Sequence, residues 1–417
     1  MDLLRDSALG SIIRLVTRNR YLLYADERED FIFKARARCP KNESQRKSIS
    51  RSASSLRQSK SRPNEADLEA FQQADEKQVE RDIILVDWYN EEDPENPQNW
   101  STSKKVVVTT VLWLYTFTVY CASAIYTPSL EGVQNEYQVG HTVASLGLSL
   151  YVLGYGIGPL VFSPLSEIPR IGRKWPYVVT LFLFVLMAIP TALVKSLPGF
   201  LVLRFLTGVL SSPCLATGGA TLQDMYSSLK LPYGYTAWVG ATFCAPALGP
   251  VISGFAVAAQ GWRWSMWEVL WMALFTFVVV LVAFPETSAA TILFRRAERI
   301  RCREKDQRYI AQSELGAAQK FVREVAMHAL IRPLEITILD PAVLFTNLYS
   351  SYSYGVYYSF FEAFPLVYTD MYGFNLGLTG TAFLSIVIAC LVGSLIYCSY
   401  LYWYLVCLNK ALLSFEP

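Results

Sequence analysis

Charge is scarce in this chain. Only 17% of its 417 residues are Asp, Glu, Lys or Arg, against 53% apolar and 14% aromatic. With a mean hydropathy of +0.27, that balance excludes an ordinary soluble protein of this size. Histidine occurs only as His141 and His328, and neither has a sequence neighbour that makes a metal site or a catalytic pair. The eight cysteines include no Cys-x-x-Cys and no metal spacing, so neither a metal centre nor a disulfide framework is expected. Cys121, Cys214, Cys244, Cys390, Cys398 and Cys407 lie in apolar runs and read as small packing residues, while Cys39 and Cys302 fall in polar segments. No nucleophile, base and orienting group stand at usable spacing, which predicts neither an enzyme nor a cofactor. The formal net charge of +2 is not gathered on a soluble domain, so nucleic acid is not an expected partner. Arg5, Arg14, Arg18 and Arg20 interrupt the first twenty residues, which leaves no signal-peptide core. The first membrane span then acts as its own insertion signal.

Long apolar runs are what the chain does have. A crossing needs about 20 apolar residues, and eight runs meet that length: roughly 106 to 126, 142 to 162, 177 to 194, 200 to 221, 236 to 258, 266 to 284, 342 to 366 and 377 to 406. Short connections make neighbours antiparallel, so the fold class is all-α integral membrane. Residues 1 to 105 are polar and read as a cytoplasmic tail, largely disordered. Within that tail, 34 to 62 is basic and serine-rich, and 65 to 95 is acidic, compositions that bury too little surface to fold alone. Residues 3 to 24 fit either a basic amphipathic helix on anionic lipid or an ordinary exposed helix. Residues 106 to 284 form a six-helix unit, 285 to 341 a charged linker, and 342 to 417 a second, partial membrane unit. In the linker, local ion pairs on a solvated face are expected, with Phe321, Val325 and Leu330 docking on the bundle. Basic residues set the orientation: Arg170, Arg173, Lys174, Lys230 and the run from Arg295 to Arg332 mark one side, against Lys195 and Arg263 on the other. The basic side and the tail are cytoplasmic on this reading, and the sequons at Asn42 and Asn99 stay unglycosylated.

The fifth run contains Gly240, Pro246, Gly249, Pro250 and Gly254 without a charge. Gly costs about 1 kcal/mol and Pro about 3 kcal/mol inside a soluble helix, so such a segment is tenable only where neighbours or lipid enforce helicity. Small residues also let helix backbones approach closely. The pattern resembles the fifth-helix signature of antiporters in the major facilitator superfamily; a kinked packing helix is the plainer reading. The loop after the second run holds Glu167, Arg170, Gly172, Arg173 and Lys174. It resembles the family's cytoplasmic loop between helices two and three, where an acid and a Gly-Arg-Lys ending form a charge latch. Here Glu stands for the usual Asp, with two extra residues before Gly172; a positive-inside anchor is the alternative. Arg204 is the basic residue deep in an apolar run, a placement costing about 2.5 to 3.5 kcal/mol on insertion scales. Its Arg-x-x-x-Gly spacing resembles the fourth-helix motif of proton-coupled members, with Thr207 where many have Gln; snorkelling to the membrane boundary is the other reading.

Glu362 is the carboxylate inside the aromatic seventh run and is the candidate proton carrier beside Arg204, unless it lies one turn from the outer surface. Asp224 and Glu268 read as helix-end residues. Tyr126, Tyr151, Tyr155, Tyr357, Tyr358 and Phe361 lie in runs one, two and seven, and offer an aromatic surface for flat or amphipathic molecules. Together with Asp87-Trp-Tyr, Asp93-Pro-Glu-Asn-Pro-Gln-Asn-Trp-Ser before the first run and Pro285-Glu286-Thr287 after the sixth, these residues resemble a fungal multidrug transporter, specifically the twelve-helix drug:proton antiporters. The resemblance implies a complete N-terminal six-helix domain plus two helices of a C-terminal domain, with the chain truncated after the eighth helix. It implies multi-pass membrane localisation, at the plasma membrane, and efflux of small toxic compounds against protons by alternating access. A polyamine or nutrient carrier on the same scaffold, or a non-transporting membrane protein, are the competing readings. Expected partners are a small-molecule substrate, protons and the lipid bilayer.

Overall fold

The computed structural model describes residues 2–17, 20–27, 84–317, 331 and 335–413. Eight long helices occupy the eight expected places: α1 (Thr102–Ala124), α2 (His141–Glu167), α3 (Lys174–Leu193), α4 (Leu197–Ser211), α5 (Leu231–Gln260), α6 (Trp264–Ala283), α7 (Pro341–Phe364) and α8 (Leu384–Leu413). The chain of α4 runs on as Pro213–Met225, and the short helix Leu376–Ala382 leads into α8. Seven of these segments are long and apolar enough to cross a membrane. The exception is α7, whose four serines and five tyrosines lower its hydropathy although its 24 residues suffice in length. The expectation of eight apolar spans is corrected there, because hydroxyls and aromatic rings replace aliphatic side chains.

The chain divides into two compact units. In the first, residues 1–22, 94–291 and 320–417, buried Leu112, Tyr115, Tyr177, Phe184 and Leu270 belong to one core. Gly208 of α4 lies against the Tyr151 backbone of α2, leaving no room for a Cβ, which is how a small residue brings two membrane helices together. The outward faces stay apolar, as at Trp271, Phe275 and Leu395, the surface a lipid solvent accepts. The helix Ala8–Val16 is capped by Ser7, whose hydroxyl accepts from the Gly10 N–H at 3.1 Å. Ser7 and Ala8 are buried, whereas Leu15 and Val16 are exposed, so this helix is anchored at its start and keeps an open apolar side.

The second unit comprises residues 23–93 and 292–319. Strand β1 (Ile84–Val86) pairs in parallel with β2 (Tyr309–Ala311), in the register Ile84 with Tyr309 and Val86 with Ala311. Phe294, Ala297 and Ile300 pack on Val86 and Ala311. Arg296 is wholly buried and meets Asp93 at 2.8 and 3.2 Å, and Arg299 pairs with Asp26 at 2.8 Å. A solvated linker face and an unstructured acidic stretch were the expectations for these segments. Instead 84–93 and 292–317 share a small core, because Phe294 and Ile300 supply apolar surface and Asp93 supplies a counter-charge for Arg296. Asn42, the serine-rich run, Phe321, Val325, Leu330 and His328 lie outside the described residues.

Candidate functional site

Arg204 lies inside the first unit at 2% exposure. Its Nε donates to Gly147 O at 3.0 Å, Nη1 to Ala122 O at 3.1 Å and Nη2 to Ser123 O at 3.4 Å. Ala122 and Ser123 belong to the last turn of α1, where carbonyls lack helical partners and the helix dipole is negative. The guanidinium also stacks by Tyr151 and Tyr126, 4.7 and 5.1 Å from the ring centroids. The charge is therefore met by oriented carbonyls and ring faces, and the snorkelling alternative is excluded by burial.

The six aromatic residues come together, but as a packed seam. Tyr126 donates to Ala144 O at 2.8 Å and Tyr151 to Val119 O at 2.9 Å. The Tyr155 and Tyr358 hydroxyls are 3.0 Å apart, and Tyr358 reaches Ser123 Oγ at 3.0 Å. Tyr357 donates to Phe243 O of α5 at 2.9 Å, and Phe361 stacks on Phe383 at 4.9 Å. These contacts sew α7 to α1, α2, α5 and the residue before α8. None of the six lines the cavity of about 230 Å³ in this unit, whose wall includes Glu131, His141, Glu362 and Asp370.

Glu362 bridges α7 to α2. Ser145 Oγ donates to its Oε1 at 3.0 Å, and His141 Nε2 stands 3.3 Å from its Oε2. With 38% of its side chain exposed, Glu362 lies near the surface of the unit rather than deep in it, and its imidazole neighbour is His141. The spacing 141/145 puts both donors on one face of α2, a signal that only a known partner helix makes readable. Glu268 stands near the start of α6, as expected for a helix-end residue. Its Oε2 is buried without a hydrogen-bond partner among the described residues.

The loop after α2 is built around Glu286. This carboxylate, 5% exposed, accepts from the backbone N–H of Arg173 at 2.9 Å, of Lys174 at 3.4 Å and of Ser288 at 3.2 Å. Gly172 has φ +74°, and a Cβ there would run into Glu286 and Thr291; only glycine meets both demands cheaply. Arg173 grips Asp224 in a fork, Nε to Oδ2 at 2.6 Å and Nη2 to Oδ1 at 3.4 Å. The Lys174 ammonium is buried and donates to Asp6 O, Ser7 O and Ser11 Oγ at 3.1, 3.3 and 2.7 Å. Glu167 and Arg170 are exposed, and neither makes an ion pair among the described residues. The acid expected to pair with this loop is thus corrected: Glu286 and Asp224, not Glu167, contact its basic residues. Glu167 closes α2 before the turn that leads to Arg173, whereas Asp224, in the last turn of its helix, meets Arg173.

In α5, Pro246, Gly249, Pro250 and Gly254 are buried. A Cβ on Gly249 would come 2.8 Å from Ile125 N, and one on Gly254 2.7 Å from Leu376 O. One face of α5 therefore meets the end of α1 and the other the approach to α8. Gly240 has open space beside it and takes no part in either contact.

The profile of the Major Facilitator Superfamily matches residues 112–407. The chain is 44% identical over 320 residues to the MFS-type transporter pyvG of Aspergillus violaceofuscus, covering 77% of this chain and 59% of that protein. It is 42% identical over 316 residues to Fluconazole resistance protein 1 of Saccharomyces cerevisiae, covering 76% and 58%. It is 34% identical over 404 residues to the Cycloheximide resistance protein of Candida maltosa, covering 96% and 72%. Among solved structures, the proton:xylose symporter XylE matches 60% of this chain and 57% of its own at 12% identity, with a TM-score of 0.42. The chain spans a little under three-fifths of the length of the first two relatives. By the extent of the profile match and by these identities, the chain belongs to the Major Facilitator Superfamily, a family of multi-pass membrane transporters rather than enzymes.

Proposed function

We propose that the chain serves proton-coupled efflux of small toxic organic compounds by alternating access at the plasma membrane. The observation that carries this reading is the pair of ties at the two ends of α2: Arg173 with Asp224 and Glu286 at one end, and His141 and Ser145 with Glu362 at the other. Charge-assisted contacts of this kind can form in one conformation and open in another, which biases a two-state equilibrium. Relatives named for fluconazole and cycloheximide resistance support cytotoxic compounds as the cargo. On this reading, residues 106–284 form the first six-helix domain, 285–341 the cytoplasmic linker, and 342–417 part of the second domain. Residues 1–105 are a cytoplasmic tail, so Asn99 stays unglycosylated when the chain is expressed in the secretory pathway, and a glycan there overturns the topology.

Arg204 holds a fixed positive charge against α1 and α2. Glu362, within reach of water, and Glu268, with one oxygen free of donors, are the groups that take and release protons. The test is accumulation of fluconazole in a drug-sensitive yeast expressing the chain, with and without a protonophore. The reading predicts lowered accumulation that the protonophore abolishes, and loss of that effect in Arg204→Ala, Glu268→Gln and Glu362→Gln. Accumulation unchanged by the chain, or lowered equally without a proton gradient, overturns it.

A further inference from the structure

The helix Ala8–Val16 is amphipathic in the direction that does not suit water. Ser7, Ser11 and Arg14 follow one another at helical spacing, and all three are bonded within the protein. Ser7 O and Ser11 Oγ accept from the Lys174 ammonium, and Arg14 Nη1 donates to Leu22 O at 2.8 Å. Ile12, Leu15 and Val16 form a second stripe, and these apolar side chains face outward, Leu15 80% and Val16 76% exposed. A helix on a wetted surface has the opposite arrangement, apolar side in and polar side out. The segment is also held at a defined level. Asp6 pairs with Lys104 at 2.9 Å near the start of α1, Lys174 opens α3, and Ser7 makes an antiparallel bridge to Pro285, two residues past the end of α6. Exposed Val106, Val107, Val179 and Val282 lie within five residues of these anchors, about 8 Å of helix rise. The lipid-facing surface of the spans therefore begins beside this helix.

We propose that the helix Ala8–Val16 lies on the bilayer surface, with Ile12, Leu15 and Val16 inserted at the boundary between headgroups and acyl chains. An amphipathic helix in that position sinks its apolar face by roughly 5–10 Å, a depth compatible with anchors at the ends of three spans. Arg20 is exposed four residues beyond Val16, and a cation flanking an apolar face suits headgroup phosphates. Water leaves three adjacent apolar side chains uncovered, and a protein partner has to displace lipid that already sits at this level. Lys174 is the positioning residue, because by holding the serine side it turns the apolar stripe away from the protein. This membrane contact depends neither on the cargo nor on proton coupling.

The test is photocrosslinking of lipid to the full chain. With p-benzoylphenylalanine in place of Leu15, the chain is reconstituted in nanodiscs of phosphatidylcholine and phosphatidylserine, irradiated, and read by intact mass for phospholipid adducts. The same label in place of Phe275, outward on α6, sets the yield for a lipid-facing position. In place of Gln307, exposed among charged residues of the second unit, it sets the yield for a position in water. The Leu15 yield is expected to approach that of Phe275 and to exceed that of Gln307 about tenfold or more, since the label sits among acyl chains. Val16, on the same stripe, is the position to read if the Leu15 variant does not assemble. A yield within about threefold of Gln307, or crosslinks from Leu15 to another stretch of the chain or to a second copy in place of lipid, overturns the proposal.

Discussion

The two ends of α2 are tied in different ways. At the Glu167 end, the ties are buried or partly buried and many-partnered: Glu286 takes three backbone N–H groups, Arg173 forks onto the half-buried Asp224, and the Lys174 ammonium is spent on three oxygens of the N-terminal segment. At the His141 end, one carboxylate meets one imidazole and one hydroxyl beside an open cavity, with the side chains of His141 and Glu362 58% and 38% exposed. Buried charge-assisted bonds are roughly twice as strong as neutral ones, and exposed pairs contribute little. The same type of contact, acid with base, therefore makes a firm joint at one end and a loose one at the other.

Substitutions break this comparison in a graded order, each read as thermal unfolding of the purified chain in detergent. Glu286→Ala strands two or three backbone donors and is expected to cost about 3 kcal/mol, since each buried unpaired group costs roughly 1–3 kcal/mol. Gly172→Ala follows at about 2 kcal/mol, combining a left-handed backbone strain of roughly 1–2 kcal/mol with displacement of Glu286. Asp224→Asn, which keeps shape but loses charge, is expected near 1.5 kcal/mol. Glu362→Gln at the loose end is expected to cost less than about 1 kcal/mol. A Glu362→Gln loss as large as that of Glu286→Ala erases the distinction between the ends, and equal losses for Asp224→Asn and a surface control such as Glu167→Gln remove the latch.

The helices were legible because their signal is local. Run length places all eight, with α7 falling short in apolarity, and the glycines and prolines of α5 announce close packing before any partner is known. Gly249 and Gly254 do make that contact, against Ile125 and Leu376, while Gly240 does not. Arg204 was legible as a charge too costly to be idle, although three backbone carbonyls as its partners were not. The partners of the loop after α2 were misread for a definable reason. Glu167 is close in sequence, but Glu286 lies 113 residues from Arg173 and Asp224 lies 51, and sequence proximity carries no weight once helices fold back beside one another.

What the sequence determined by itself is the solvent and the element list: apolar runs of membrane length, a basic side, and a helix-five composition viable only among close neighbours. The pairing of charges was decided by tertiary structure alone. His141 meets Glu362, Arg296 meets Asp93, and Lys174 meets Ser11 across separations of 163 to 221 residues. Hydrophobic length is a property of one segment, because lipid acts on each segment separately. A hydrogen bond or ion pair is a property of two, and which two come within bonding distance depends on how every helix between them packs.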